Sequence, residues 1–321
     1  MNWKVLVLLA MGSMIGASNP EAAEYPSRPI TILVGFAPGG IHEIVSRIVA
    51  EGLRARLGQP VIVELKPSAS GILALNDTMR AEPDGYVLTA TTSALAALPF
   101  ISTSYKGDVV SGFSHLGILA QTPFLLATNA DMPFSDVKGL VAYARANPGK
   151  LNFGAPTESV NLDFALFWQR TGIAVTSVPY RGTAPATLAL IGNEVQLSAV
   201  SHRAISPYLQ SGKLKPIGFA SDRRFSLVPD IPTLVESIPG YSATTIWIGF
   251  SGPPGMSREV VTRLNSEMIA IVREPKVRAT IVDKFAYEIV GGSPENMTAE
   301  MRAAVQRYAE AARLTGFKPL Q

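Results

Sequence analysis

Apolar residues recur along this chain in two alternating rhythms. Short aliphatic and β-branched runs stand at 30–34, 61–65, 86–91, 115–120 and 124–127, most of them closed by small or turn-forming residues. Runs of this kind predict strands buried on both faces. Between them, apolar residues fall three or four apart. Ile44, Val45, Ile48, Val49 and Leu53 put one face on a helix over 41–57, and Gly58 stands where a C-cap would end it. Lys66-Pro67-Ser68-Ala69-Ser70-Gly71 leads into a helix that runs through Arg80, and a helix over 137–146 is stopped by Asn147-Pro148-Gly149. The rhythm continues with strands over 151–154, 177–179, 195–200 and 214–220, separated by helices over 161–171, 184–191 and 204–210. Pro253-Pro254-Gly255 precedes a helix over 258–272, and a last helix spans 294–314. This alternation predicts an α/β fold, with parallel sheets covered by helices on both faces. No repeat of about 20–50 residues is visible, which argues against a solenoid.

The first segment does not share the rhythm. Lys4 is followed by an apolar run over 5–11 and a weaker one over 12–17, then by small residues. That core is shorter than the roughly 20 residues needed to span a bilayer. The expectation is an export signal over 1–23, cleaved after Ser18 or Ala23. The chain contains no cysteine, so disulfides, thiolate metal sites and a lipid-modified cysteine are excluded. An exported protein without a lipid anchor points to the periplasm of a two-membrane cell.

Length and charge narrow the class. The 321 residues suit two domains of about 100–200 residues each. The net charge of +3 comes from 28 basic against 25 acidic residues, with no basic cluster interleaved with aromatics. Nucleic acid is therefore not an expected partner. No Walker A loop, G-x-G-x-x-G, H-E-x-x-H or G-x-S-x-G elbow is present, and the three histidines, His42, His115 and His202, are scattered. No catalytic set, metal site or cofactor is expected.

The strand ends carry the remaining signal. Pro38-Gly39-Gly40, Ser68-Ala69-Ser70-Gly71, Thr91-Thr92-Ser93, Thr157-Glu158-Ser159, Arg181-Gly182-Thr183 and Ser201-His202 are small and polar, and several directly precede helices. In open α/β sheets ligands bind outside the carboxyl ends of strands, and free amides at helix starts favour an anion. Each hydroxyl can equally be an ordinary N-cap. Glu43 reads as a first-turn acid that complements its helix, Arg181 as a carboxylate grip or a surface cation, and Tyr241 and Trp247 as core residues.

Seven segments, in order along the mature chain, resemble a known family. They are YPSRPITILVGFAPGG (25–40), EPDGY (82–86), NPGKLNFG (147–154), VPYRGTAPA (178–186), SGKLKPIG (211–218), VPDIPTLVE (228–236) and GFSGPPGM (249–256). They resemble the periplasmic solute receptors of tripartite tricarboxylate transporters, the Bug family. The resemblance implies a two-lobed periplasmic binding protein fold, each lobe a mixed, mainly parallel sheet flanked by helices. The chain would cross between lobes near Pro123 and Trp247, with 24–122 and 247–321 forming lobe one and 123–246 lobe two. It implies a monomer that captures a small organic carboxylate and hands it to a two-subunit membrane permease. The alternatives are an exported α/β hydrolase and a receptor that contacts a signalling partner. Carried onto this chain, the family's ligand contacts fall on Gly39, Gly40, Ser70, Thr157, Ser159, Thr183 and Ser201. The chain departs from the family pattern at these loops: Glu43 stands one place beyond the usual Asp, Asp163 replaces an expected His, and Val200 an expected Asp.

Overall fold

A computed structural model describes residues 25–68, 71–243 and 245–318. The expected leader over 1–23 and the expected contact Ser70 lie outside the described residues. Along the chain come β1 (Ile30–Val34), α1 (Ile41–Leu57), β2 (Val61–Leu65), α2 (Ile72–Arg80), β3 (Val87–Thr92), α3 (Leu98–Ile101), β4 (Ser114–Thr122), β5 (Phe124–Asn129), α4 (Val137–Ala146), β6 (Asn152–Ala155) and α5 (Glu158–Thr171). They are followed by β7 (Thr176–Pro179), α6 (Thr183–Ile191), β8 (Leu197–Ser201), α7 (His202–Gln210), β9 (Leu214–Ala220), β10 (Ile246–Gly252), α8 (Arg258–Arg273), α9 (Pro275–Ala279), β11 (Glu288–Ile289) and α10 (Pro294–Thr315).

Local chemistry sets most helix ends. Gly58 closes α1 in the left-handed conformation, φ 70°, donating to Arg54 O. Asp136, Ser257 and Ser293 accept from backbone amides three residues on and so start α4, α8 and α10. Thr157 does the same for α5, which therefore begins at Glu158 and not at Asn161 as the apolar spacing suggests.

The strands form two sheets, ordered β11-β4-β10-β3-β1-β2 and β7-β6-β8-β5-β9. In the first, β1 pairs in parallel with β2 and β3; in the second, β6 pairs in parallel with β7 and β8. Among the described residues, the parallel ladders expected from the βα rhythm are these two trios, with one isolated parallel bridge between Phe219 and Thr233. β10 runs antiparallel to β3 and β4, β11 antiparallel to β4, and β5 antiparallel to β8 and β9. The cause is the passage between sheets. Pro123, which has no N–H for a ladder, ends β4, and the next residue opens β5 in the other sheet. The chain returns between Ala220 and Ile246 and enters the first sheet as β10 with no helical crossover to align it with β3.

Each sheet is sealed by its own helices. Ile30, Ile32 and Val34 of β1 pack with Val45, Val49 and Leu53 of α1 and with Leu264, Met268 and Ile271 of α8. In the second sheet, Phe153 stacks on Phe164 at 4.8 Å and meets Trp168 edge-on, with Phe167 and Tyr241 alongside. A third cluster joins the halves: Leu162 and Leu166 of α5 pack with Trp247, Met297 and Met301. Tyr308 of α10 also donates to Asp163 Oδ2 at 3.0 Å, and Arg170 pairs with Glu310. Among the described residues, no helix is long and apolar enough to cross a membrane.

Candidate ligand site

The two parallel trios have one topology. From β1 the chain crosses through α1 to β2 on one side, then through α2 to β3 on the other. From β6 it crosses through α5 to β7 on one side, then through α6 to β8 on the other. β1 and β6 are thus the switch points, and the crevice outside their carboxyl ends is where such sheets bind ligands. The loops at those ends hold Gly39 and Gly40 in one half and Thr157 and Ser159 in the other.

In the first half the loop is lined by backbone. A Cβ on Gly35 would lie 2.5 Å from Gly71 Cα, so only glycine permits the β1 end to meet the start of α2. Ser68 donates its amide to Gly35 O at 3.1 Å, and its hydroxyl accepts from Leu73 N, tying the β2–α2 loop to the same place. Gly40 is the N-cap of α1 with extended backbone, φ −76°; the left-handed residue is Gly39, φ 78°. The Gly39 amide donates to Glu43 Oε2 at 2.7 Å, and Arg47 donates to Glu43 Oε1 at 2.7 Å. The Gly39 amide, with Arg47 adding to it, holds the Glu43 carboxyl below its ordinary range. The chain's own carboxylate therefore occupies one of the amides expected to meet a ligand.

His42, one of the three scattered histidines, adds a group with no expected role in binding. Its ring stacks on Phe36, centroids 3.9 Å apart, across the glycine turn. Burial pushes its pKa down to about 4, so the imidazole is neutral at ordinary pH. His42 Nε2 and, one turn on, Ser46 Oγ are buried with no protein partner. Two aromatic residues six positions apart carry no periodic signal, so only the turn reveals this stack.

In the second half hydroxyls replace backbone. Thr157 Oγ1 accepts from Val160 N at 3.3 Å and lies 3.0 Å from Ser159 Oγ. Gly182 N donates to Pro156 O at 3.0 Å and Tyr180 N to Ala155 O at 2.8 Å, which sets Thr183, the first residue of α6, beside the Thr157 loop. Ser201 is the N-cap of α7 and accepts from Ala204 N at 3.4 Å. Glu158 accepts from Asn161 Nδ2, whose Oδ1 accepts from Ser177 Oγ at 2.6 Å. Arg181 is exposed. Asp163 faces Tyr308 of α10, and Val200 is buried.

The expected contacts thus form two groups, Gly39 with Gly40 and Thr157, Ser159, Thr183 with Ser201. No hydrogen bond, ion pair or ring contact links the groups among the described residues. Among the described residues, the one histidine–serine pair, His115 Nδ1 to Ser251 Oγ at 3.0 Å, lies in the sheet interior with both residues buried. Burial also lowers His115 to about 4. Among the described residues no three His, Asp or Glu side chains are grouped to hold a metal ion. Trp247 and Tyr241 are buried, as core residues should be.

Residues 45–311 match the tripartite tricarboxylate transporter family receptor, a span well over half of the chain. The chain belongs to that receptor family. A UPF0065 protein of Bordetella pertussis is 33% identical over 258 residues, 79% of each chain. An R. palustris protein solved with adipate superposes with a TM-score of 0.77 at 28% identity, covering 92% of this chain and all of that one. MatC from Rhodopseudomonas palustris with bound malate superposes with a TM-score of 0.71 at 25% identity, covering 89% of this chain and 99% of that one. The periplasmic binding protein BugD superposes with a TM-score of 0.73 at 28% identity, covering 92% of this chain and all of that one.

Proposed function

We propose that this receptor binds a small organic carboxylate in the crevice between the two sheets and delivers it, unchanged, to a two-subunit membrane permease. On this reading 24–122 and 247–321 form one lobe and 123–246 the other, and the exported, monomeric protein works in the periplasm after removal of 1–23. The observation that supports it is the repeated switch point: two units of one topology, one ending in a loop of backbone amides and the other in small hydroxyls, each at a helix start. Adipate and malate on the two R. palustris relatives supply the ligand class.

The chemistry is sufficient without an arginine clamp. Hydrogen bonds to a charged group contribute about 1.5–3 kcal/mol each. Four or five of them total about 6–15 kcal/mol, a range whose upper part covers the roughly 8 kcal/mol of a micromolar complex together with the cost of ordering. Gly40, Thr157, Ser159, Thr183 and Ser201 supply them, with Ser70 from the β2–α2 loop. The Gly39 amide joins once Glu43 gives way.

A thermal-shift screen of carboxylates, adipate and malate included, followed by calorimetry, tests this. Gly40→Val is expected to abolish binding while the fold persists. Thr157→Val is expected to weaken binding by about 1–3 kcal/mol, the value of a hydroxyl bonded to an anion. Unchanged affinity in both variants would show that these residues only cap their helices.

A further inference from the structure

A cavity of about 420 Å³ opens where β11 and β9 edge the two sheets, away from β1 and β6. Its wall comes from both halves. Arg223, Ser226 and Leu227 follow β9, while Arg273 ends α8, Arg278 lies on α9, and the rest comes from the turn after α9, from β11 and from Val290 just beyond it. Three arginines thus face one acid, Glu288. That acid is already engaged, accepting from Arg223 Nη2 at 2.8 Å and from Ser226 N at 2.9 Å, with only 12% of its side chain exposed. Arg273 and Arg278 have no acidic partner among the described residues. The Arg273 guanidinium lies against Gly291, where a Cβ would come within 3.5 Å of Nη2. Two of the five large apolar side chains exposed among the described residues, Leu227 at 40% and Val290 at 37%, stand in the same wall.

We propose that this cavity is the docking site for an acidic segment of a protein partner, one that sets carboxylates against Arg273 and Arg278 and an apolar side chain against Leu227 and Val290. Charge complementarity selects the occupant. An ion pair with an exposed arginine changes an equilibrium constant by about fivefold at most, so a small free acid would not be retained there. A segment brings several such pairs together with apolar burial, which is how a solvent-exposed surface reaches useful affinity. Because the wall is built from both halves, the fit depends on how the two sheets are set relative to each other. The inference rests on the receptor reading only in that a protein partner exists.

Fluorescence anisotropy with a labelled peptide alternating Glu and Leu tests it without any ligand in the crevice. The wild-type chain is expected to bind at low salt. Arg273→Glu with Arg278→Glu is expected to weaken binding by at least about tenfold, since two pairs are lost and replaced by repulsion. A Gln-for-Glu peptide should not bind, and a Ser-for-Leu peptide should bind more weakly. Arg54→Glu, an exposed reversal on α1, is expected to leave binding unchanged. An equal loss there would show undirected charge attraction and overturn the proposal. So would an unaffected double variant, or citrate binding the cavity as tightly as the peptide. Arg273→Gln with Arg278→Gln, which removes charge without adding repulsion, checks that any loss is not a folding defect. Failure of the carboxylate screen would leave the peptide result standing, and the reverse holds as well.

Discussion

The β1–α1 and β6–α5 loops occupy equivalent switch points, yet they are built from different chemistry. The first is backbone: Gly35 against Gly71, a left-handed Gly39, and an amide already held by the carboxylate of Glu43. The second is side chain: Thr157 and Ser159 hydroxyls, with the helix capped by an uncharged oxygen. The difference teaches what each half can contribute. The first loop demonstrates its fitness for a carboxylate by holding one of its own. The second offers neutral groups that can donate or accept, and so can adjust to the rest of a ligand.

One expected effect separates backbone from side-chain construction. Gly35→Ala forces a Cβ to 2.5 Å from backbone that cannot turn aside, and should cost about 2–3 kcal/mol of stability, a typical upper value for overpacking. Gly154→Ala in β6 meets Val195 Cγ2 at 3.0 Å and a Tyr180 ring atom at 3.3 Å, which can give, so about 1 kcal/mol is expected. Thermal unfolding of both variants decides it, and equal losses would break the comparison.

A second effect, of similar size, depends on pH and is shared between the first loop and the sheet interior. His42 is held near 4 when folded, while the unfolded chain takes up the proton at the ordinary 6.5. The unfolded state binds more protons between those values, so stability is full above pH 6.5 and falls as pH drops toward 4, by about 3 kcal/mol for one such imidazole. His115 is depressed to the same value and contributes a like amount. Urea unfolding across that range should show His42→Gln removing about half of the combined fall. A slope untouched by the substitution would show that His42 takes up its proton freely in the native loop.

The smallest effect sharpens the functional half of the comparison. Glu43→Gln removes the ionised group that competes for the Gly39 amide and should tighten carboxylate binding by about two- to fivefold, the scale of one exposed charge pair. Calorimetry with the best acid from the screen measures it. Weaker binding would instead assign Glu43 the task of shaping the loop for its ligand.

Much of this arrangement was legible along the chain, though unevenly. α1 and α4 run between the residues that spacing and turn signals marked, because their signals act within a few residues. Thr157 and Ser201 were visible as caps and as candidate contacts, and they do cap their helices; no local pattern tells whether a capping oxygen also serves a ligand. Glu43 was visible as a first-turn acid, but its grip on Gly39 follows from the path of the turn.

What the sequence by itself determined is the alternation of strand and helix and the small polar strand ends, which depend on neighbours three or four places apart, together with the family, which is carried by ordered segments along the chain. Only the tertiary structure decided that β10 would enter the first sheet antiparallel, between β3 and β4. It alone set Phe36 over His42, and it alone gathered Arg223, Arg273 and Arg278 around one cavity. Glu288 and Arg223 are 65 residues apart. Contacts at that range are set when two sheets and their connections pack, and local propensity carries no record of them.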